Sequence, residues 1–283
     1  MKTIREPHLM QRQADDLRLG GKRIALVPTM GALHGGHAAL IREARTRGDA
    51  VVVTLFVNPA QFGEGEDYGR YPRDIDGDVR LASGAGGDIL FAPETAAMYP
   101  PGYRTFVNVE KLSLPLEGAV RPGHFRGVAT VVTKLLNITK PHCALFGQKD
   151  AQQVVVLRRM VRDLDFGVEI VVVPTVREED GLAMSSRNAY LTPAERGEAP
   201  ALYRSLRMAE ELVRAGERSA GAVIAAITRE ITGRSSAAID YVSVADAESL
   251  EPLSTLSPGA SVLVSLAARF GTTRLIDNIH ITL

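Results

Sequence analysis

The hydrophobic rhythm of the chain changes part-way along. In the first part, apolar residues come in short, near-continuous runs at 23–27, 50–57, 88–93, 143–146 and 168–174. Runs of this kind, rich in Val, Ile and Leu, suit parallel strands buried on both faces. Between them lie helical faces. Ala38, Leu40, Ile41 and Ala44 share one, and Phe125, Val128, Ala129, Val132, Leu135 and Leu136 share another. A weaker helical segment is expected over 74–82, and one more after 150. Residues 99–123 are rich in Pro and Gly and read as irregular, apart from a short strand at 105–109.

From Thr192 the strand–turn–helix alternation stops. Leu202, Leu206, Ala209, Leu212 and Val213 mark one amphipathic helix, and Val223, Ile224, Ile227 and Ile231 a second. Three alternating strands follow at 238–244, 261–267 and 274–281. The pattern predicts a doubly wound α/β parallel sheet over 1–177 and a smaller α+β domain over 178–283. The boundary is expected near 177–181, the site in the cleft between the two, and the second domain acts as a lid.

Composition excludes several classes. The 283 residues carry 33 Lys+Arg against 33 Asp+Glu, so general nucleic-acid binding is not expected. The single Cys143 rules out an intrachain disulfide framework, and its apolar neighbours make it a core residue. No apolar run approaches the length of a membrane span, and the first residues hold no leader-like apolar region. A cytoplasmic protein without membrane contact is the expectation.

The candidate chemistry sits at strand ends. The first run leads into Pro28-Thr29-Met30-Gly31-Ala32-Leu33-His34-Gly35-Gly36-His37, a glycine-broken turn that opens a helix. A helix N-terminus favours anions, phosphate above all, and two imidazoles three apart can serve one phosphoryl group. The second run ends in Asn58-Pro59-Ala60-Gln61-Phe62, where Asn58 reads equally as turn chemistry or as a ligand contact. Gly147-Gln148-Lys149-Asp150, after another strand, repeats the phosphate-facing design with a lysine. Asp74, Asp76 and Asp78 either complement a helix dipole or ligate magnesium. Met184-Ser185-Ser186-Arg187 puts two hydroxyls and a guanidinium in one loop, which also suits a helix cap.

The His34-Gly35-Gly36-His37 string resembles the His-x-Gly-His signature of the nucleotidyltransferase superfamily. With the residues before it, and with the Asn58–Phe62, Phe146-Gly147-Gln148-Lys149-Asp150-Ala151-Gln152-Gln153 and Met184–Arg187 strings in order, it is similar to the pantoate–β-alanine ligases. The resemblance implies a Rossmann-like nucleotidyltransferase fold and an AMP-forming ligase that uses ATP and Mg²⁺ on pantoate and β-alanine, as a homodimer. It implies catalytic roles for His34, His37 and Lys149. It implies ATP contacts from Pro28, Thr29, Met30, Gly31, His34, His37, Gly147, Lys149, Asp150, Val176, Met184, Ser185, Ser186 and Arg187. Pantoate contacts fall to Asn58, Gln61 and Gln153, and a magnesium contact to Asp78, where Gly77 interrupts the family's acidic cluster. Two rivals are another nucleotidyltransferase, which would need basic groups for a phosphorylated acceptor, and a nucleotide sensor that does no chemistry.

Overall fold

Strand–helix alternation builds the first compact unit, Met1–Gln148 with Val156–Pro174, in a computed structural model that describes residues 1–283. Its elements, in chain order, begin with β1 (Lys2–Ile4), α1 (Pro7–Leu19), β2 (Ile24–Thr29), α2 (Gly35–Arg47) and β3 (Ala50–Leu55). They continue with α3 (Ile75–Gly84), β4 (Ile89–Phe91), α4 (Thr95–Met98), α5 (Glu117–Val120) and α6 (His124–Thr139). The unit is completed by β5 (Cys143–Gly147), the later part of α7 (Ala151–Asp163) and β6 (Glu169–Val173). The six strands form one parallel sheet in the order β1-β4-β3-β2-β5-β6.

The continuous apolar runs are explained by burial on both faces. Ala25, Val27, Val51, Val53, Cys143 and Leu145 point to one side and pack with Ile41 and Ala44 of α2. Ile24, Leu26 and Val52, of the opposite parity, are fully buried as well. α1 packs on α6, and both reach β2. α6 stops at Lys140 in the left-handed region (φ 44°), just before Pro141.

The second unit comprises Lys149–Val155 and Thr175–Leu283. It holds α8 (Pro193–Glu198), α9 (Ala201–Arg214), α10 (Ala220–Arg234), β7 (Ala238–Asp246), β8 (Ser261–Phe270) and β9 (Thr273–Thr282). The strands form an antiparallel sheet, β7-β8-β9. Leu202, Leu206, Ala209 and Val213 of α9 and Val223, Ile227 and Ile231 of α10 share a core with Val262, Val264 and Leu266 of β8. The spacing of apolar residues in this part therefore reports the helical faces, except that Leu212 is only half-buried and lies outside this core.

Three features depart from the sequence reading. Residues 105–109 form no strand: no partner strand lies alongside, and the Val107 N–H is taken by Thr130 Oγ1 of α6 at 2.9 Å. β1 and α1 were not anticipated, because β1 is three residues long and α1 buries only Met10 and Ala14. Lys149–Val155, read as part of the first domain, clusters with the second unit.

Candidate active site

Strand order changes direction between β2 and β5. From β2 the chain adds strands on one side, through β3 and β4, and then β5 and β6 on the other. Ligands of open α/β sheets bind beyond the carboxyl ends of the strands at such a switch. The Pro28–His37 turn leaves β2, the Asn58–Phe62 segment leaves β3, and Gly147 closes β5. Three of the strings singled out in the sequence thus start from adjacent parallel strand ends.

The turn after β2 is held tightly. Thr29 Oγ1 donates to Thr54 O (2.5 Å) and accepts from Gly31 N (3.3 Å). Gly31 (φ 91°) and Ala32 (φ 52°) both lie in the left-handed region, which costs a non-glycine residue about 1–3 kcal/mol. Asp78 of α3 holds that conformation. Its Oδ2 accepts from Ala32 N at 3.0 Å and its Oδ1 from Leu33 N at 2.6 Å. Burial pushes the Asp78 carboxyl above its ordinary value, against the opposing pull of those two N–H bonds. Through these two bonds Asp78 shapes the turn that delivers His34.

The two histidines cap α2 with their own rings. His34 Nδ1 accepts from Gly36 N (3.1 Å), and His37 Nδ1 accepts from His34 N (3.2 Å). An imidazole whose Nδ1 accepts carries its proton on Nε2. Both rings are thereby set in the tautomer that donates through Nε2, with centroids 4.2 Å apart. The arrangement places two oriented donors at a helix N-terminus, where negative charge is stabilised.

Asn58 and Gln61 lie in one buried network. Asn58 Nδ2 donates to Gln61 Oε1 (3.0 Å) and to Gly127 O (3.1 Å), and Tyr99 Oη donates to Asn58 Oδ1 (2.8 Å). Burial raises the Tyr99 hydroxyl's pKa, so it remains a donor at neutral pH. With Oε1 occupied, Gln61 turns its amide nitrogen toward the β2 turn, donating to Met30 Sδ at 3.1 Å. A thioether is a weak acceptor, so this nitrogen keeps donor capacity for a ligand. Asn58 is thus both the turn residue and the group that orients Gln61.

The Gln61 backbone is clamped too. Its carbonyl accepts from His124 Nδ1 (2.9 Å) and Arg121 Nη2 (3.3 Å). Burial, then the neighbouring Arg121 charge, pushes the His124 pKa down to about 4. Arg121 Nη1 lies 3.2 Å from His124 Nε2, and a guanidinium only donates, so Nδ1 of the neutral ring carries the proton toward Gln61. Arg121 is held in turn by both carboxylate oxygens of Glu66, at 2.8 and 2.6 Å. Burial works to raise the Glu66 carboxyl, but the Arg121 hydrogen bond and charge outweigh it and hold the carboxyl below its ordinary value. Gly127 lets the segment approach α6, since a Cβ there would stand 2.1 Å from Ala60 O. Tyr99, Arg121, His124 and Gly127 were not picked out from the sequence. The glycine inside an apolar helix face was the one available signal of close approach.

In the second unit, Lys149 and Asp150 follow β5 in a 3₁₀ turn (Gln148–Asp150), and Gln153 lies in the first turn of α7. Val176 and Met184 flank a small hairpin, with Met184 N donating to Val176 O at 3.0 Å. Ser185 accepts from Arg187 N (3.3 Å) and so caps the Ser186–Tyr190 turn, as the local reading of that loop expected. Asn188 Nδ2 donates to Glu178 Oε1 and Ala183 O, which fixes its amide and leaves the buried Oδ1 without a partner. Thr175 Oγ1, two residues past the end of β6, is likewise buried and unpaired. Orphaned polar atoms beside the Ser-Ser-Arg loop suit a ligand rich in hydrogen-bonding groups.

No group of three or more His, Cys, Asp or Glu side chains is assembled to hold a metal ion. The donor set does not fit a protein cage for Mg²⁺, which elsewhere rides largely on substrate phosphates. No helix is long and apolar enough to cross a membrane.

Comparison with known proteins gives a consistent result. A family model described as pantoate-beta-alanine ligase matches residues 2–280. The pantothenate synthetase of Geobacter sulfurreducens is 55% identical over 278 residues, 98% of each chain. That of Moorella thermoacetica is 55% identical over 93% of this chain and 92% of its own. Among solved structures, the pantothenate synthetase of Thermus thermophilus superposes with a TM-score of 0.92 at 47% identity, covering 99% of both chains. The pantoate-beta-alanine ligase of Francisella tularensis, complexed with beta-gamma ATP and beta-alanine, gives 0.81 at 34% identity over 99% of this chain and 97% of that one.

Proposed function

The chain belongs to the pantoate–β-alanine ligase family, and from that premise we propose that it joins (R)-pantoate to β-alanine through a pantoyl adenylate, with ATP as co-substrate. The observation that carries this reading is the His34–His37 pair, each ring fixed as an Nε2 donor at the N-terminus of α2. A carboxylate does not react usefully with an amine near neutral pH, because its oxygen is a poor leaving group. Attack by a pantoate carboxylate oxygen on the α-phosphorus of ATP forms the acyl–phosphate bond and expels diphosphate. The amine of β-alanine then attacks the carbonyl carbon, forming the amide, and AMP departs with the former carboxylate oxygen. The amine's surplus proton goes to solvent. The product, pantothenate, is a precursor for coenzyme A.

Each residue has a task in this scheme. His34 and His37 donate to phosphoryl oxygens as charge develops in the first step. Lys149, Ser185, Ser186 and Arg187 bind the triphosphate. Pro28, Thr29, Met30, Gly31, Gly147, Asp150, Val176 and Met184 line the nucleotide through backbone and side chain. Gln61 and Gln153 hold pantoate's hydroxyl and carboxylate groups, with Asn58 orienting Gln61. Mg²⁺ supplies charge neutralisation when it arrives with ATP. No nucleophilic side chain is required, and positioning of two small substrates carries much of the remaining barrier.

Oxygen isotopes test the order of events. Pantoate labelled with ¹⁸O in its carboxylate is expected to pass one label to AMP, and ATP with pantoate alone is expected to support diphosphate exchange. Label in inorganic phosphate, or exchange that strictly requires β-alanine, would overturn the adenylate route.

The two substrate pockets separate in steady-state kinetics. Leaving a buried polar group unpaired costs about 1–3 kcal/mol, roughly 5- to 150-fold. Gln61→Ala and Gln153→Ala are therefore expected to raise the KM for pantoate by that factor, with little change for ATP. Lys149→Ala is expected to damage the ATP side instead. The reverse pattern would show that the pockets have been exchanged.

A further inference from the structure

The second unit holds a buried polar pair in the middle of its C-terminal strand. Asp277 and Asn278 are adjacent on β9, only 3% and 4% exposed, among neighbours that are otherwise mostly apolar. Successive strand residues point to opposite faces. Asp277 shares its parity with Leu275 and Ile281, both members of the α9–α10 core, while Asn278 lies on the other face. Neither polar side chain is needed to pair the strands, because the β8–β9 ladder is continuous through Leu266↔Asp277 and Ser265↔Asn278.

Both side chains are spent on loops. Asn278 Nδ2 donates to the carbonyl oxygen of Lys149 at 2.8 Å, across 129 positions of sequence. Lys149 stands just past the end of β5, in a 3₁₀ turn. Asp277 receives Arg177 through both oxygens, Nη1 to Oδ2 at 2.6 Å and Nη2 to Oδ1 at 3.0 Å. Its Oδ1 also accepts the Asn278 backbone N–H at 2.8 Å. Arg177 reaches on to Gly181 O (3.1 Å) and stacks over the Tyr203 ring of α9 at 3.6 Å. It sits at the base of the hairpin closed by the Arg177↔Ala183 bridge, immediately before Ser185, Ser186 and Arg187.

We infer that Asn278 is a positioning residue for Lys149, and that Asp277 ties the same strand to the hairpin carrying the Ser-Ser-Arg loop. This inference rests on the phosphate-binding role proposed for Lys149. A lysine stem is long and flexible, so its ammonium is useful to a triphosphate only if the backbone beneath it is fixed. A single hydrogen bond from a rigid, buried strand supplies that fixed point. One dipeptide thereby sets the origins of two loops whose cations are both assigned to the nucleotide.

Asn278→Asp tests this without changing size, because the donor becomes an acceptor facing the Lys149 carbonyl. The expected result is a roughly tenfold loss of kcat/KM for ATP in diphosphate exchange, with the KM for pantoate unchanged. The same substitution in a Lys149→Ala background is expected to cost less than twofold more, because the residue acts through the lysine. Asn278→Ser, which restores a hydroxyl donor, is expected to recover part of the loss. The melting temperature of each variant shows whether the fold has survived. An equal loss in both backgrounds, a parallel change in the KM for pantoate, or a lower melting temperature with wild-type kinetics in the folded fraction would each overturn the positioning role. Normal exchange by Lys149→Ala alone would refute the assignment of Lys149 to ATP, and this inference with it.

Discussion

His37→Ala is expected to slow diphosphate exchange by about 10²–10³, the usual cost of losing one preorganised donor where charge develops. The ring has two functions, and they separate in measurement. Its Nδ1 accepts the His34 N–H and so caps α2, whereas that bond leaves the ring's proton on Nε2 as a donor. Loss of the cap costs about 1 kcal/mol of helix stability, a shift of a few degrees in melting temperature. Loss of the donor costs rate. The variant should therefore fold, melt slightly earlier, bind ATP and pantoate, and fail at their reaction. Near-normal exchange would remove His37 from the chemistry.

Gly127→Ala is expected to lower kcat/KM for pantoate by about 10², although Gly127 is assigned no contact with any substrate. A methyl group there would stand 2.1 Å from Ala60 O and 2.6 Å from Gln61 Cα. Both the α6 backbone and the Asn58–Gln61 segment are well packed, so one must move by about 1 Å, a displacement that costs roughly that factor in a positioned site. Overpacking also costs about 1–3 kcal/mol of stability. The KM for ATP should change little, since the disturbed carbonyl belongs to Ala60 and the disturbed amide to Gln61. The decisive measurement is kcat/KM for each substrate in turn. A variant with wild-type pantoate kinetics would show that Gln61 tolerates displacement and is not the pantoate contact.

Much of the fold was legible in the chain because its information is local. The runs at 24–27, 50–57 and 143–146 are apolar throughout because both faces of a parallel sheet are covered, and burial of both parities leaves that trace in any such strand. The α9 and α10 faces were readable for the same reason, with period 3.6 in place of a solid run. β1, α1 and the supposed strand at 105–109 were not legible. A three-residue edge strand has no pattern, a mostly polar helix hides its two buried positions, and whether an extended segment becomes a strand depends on a neighbour the sequence does not name.

The site divides along the same line. The sequence by itself singled out the strings proposed to carry chemistry: two histidines at a helix entrance, the amides Asn58 and Gln61 on either side of Pro59, a lysine after β5 and a Ser-Ser-Arg loop. Those assignments depend on residue type and short spacing, which the chain states directly. Only the tertiary structure decided which atoms face the work. It fixed the histidine tautomers through backbone N–H groups, turned the Gln61 amide through Asn58 and Tyr99, and clamped its carbonyl with Arg121 and His124. It also set Asp78 against the turn at Ala32 and Leu33, and it joined Asn278 to Lys149. Each of these is a hydrogen bond whose strength depends on ångströms and angles between groups far apart in the chain. Residue order alone does not contain those distances; folding supplies them.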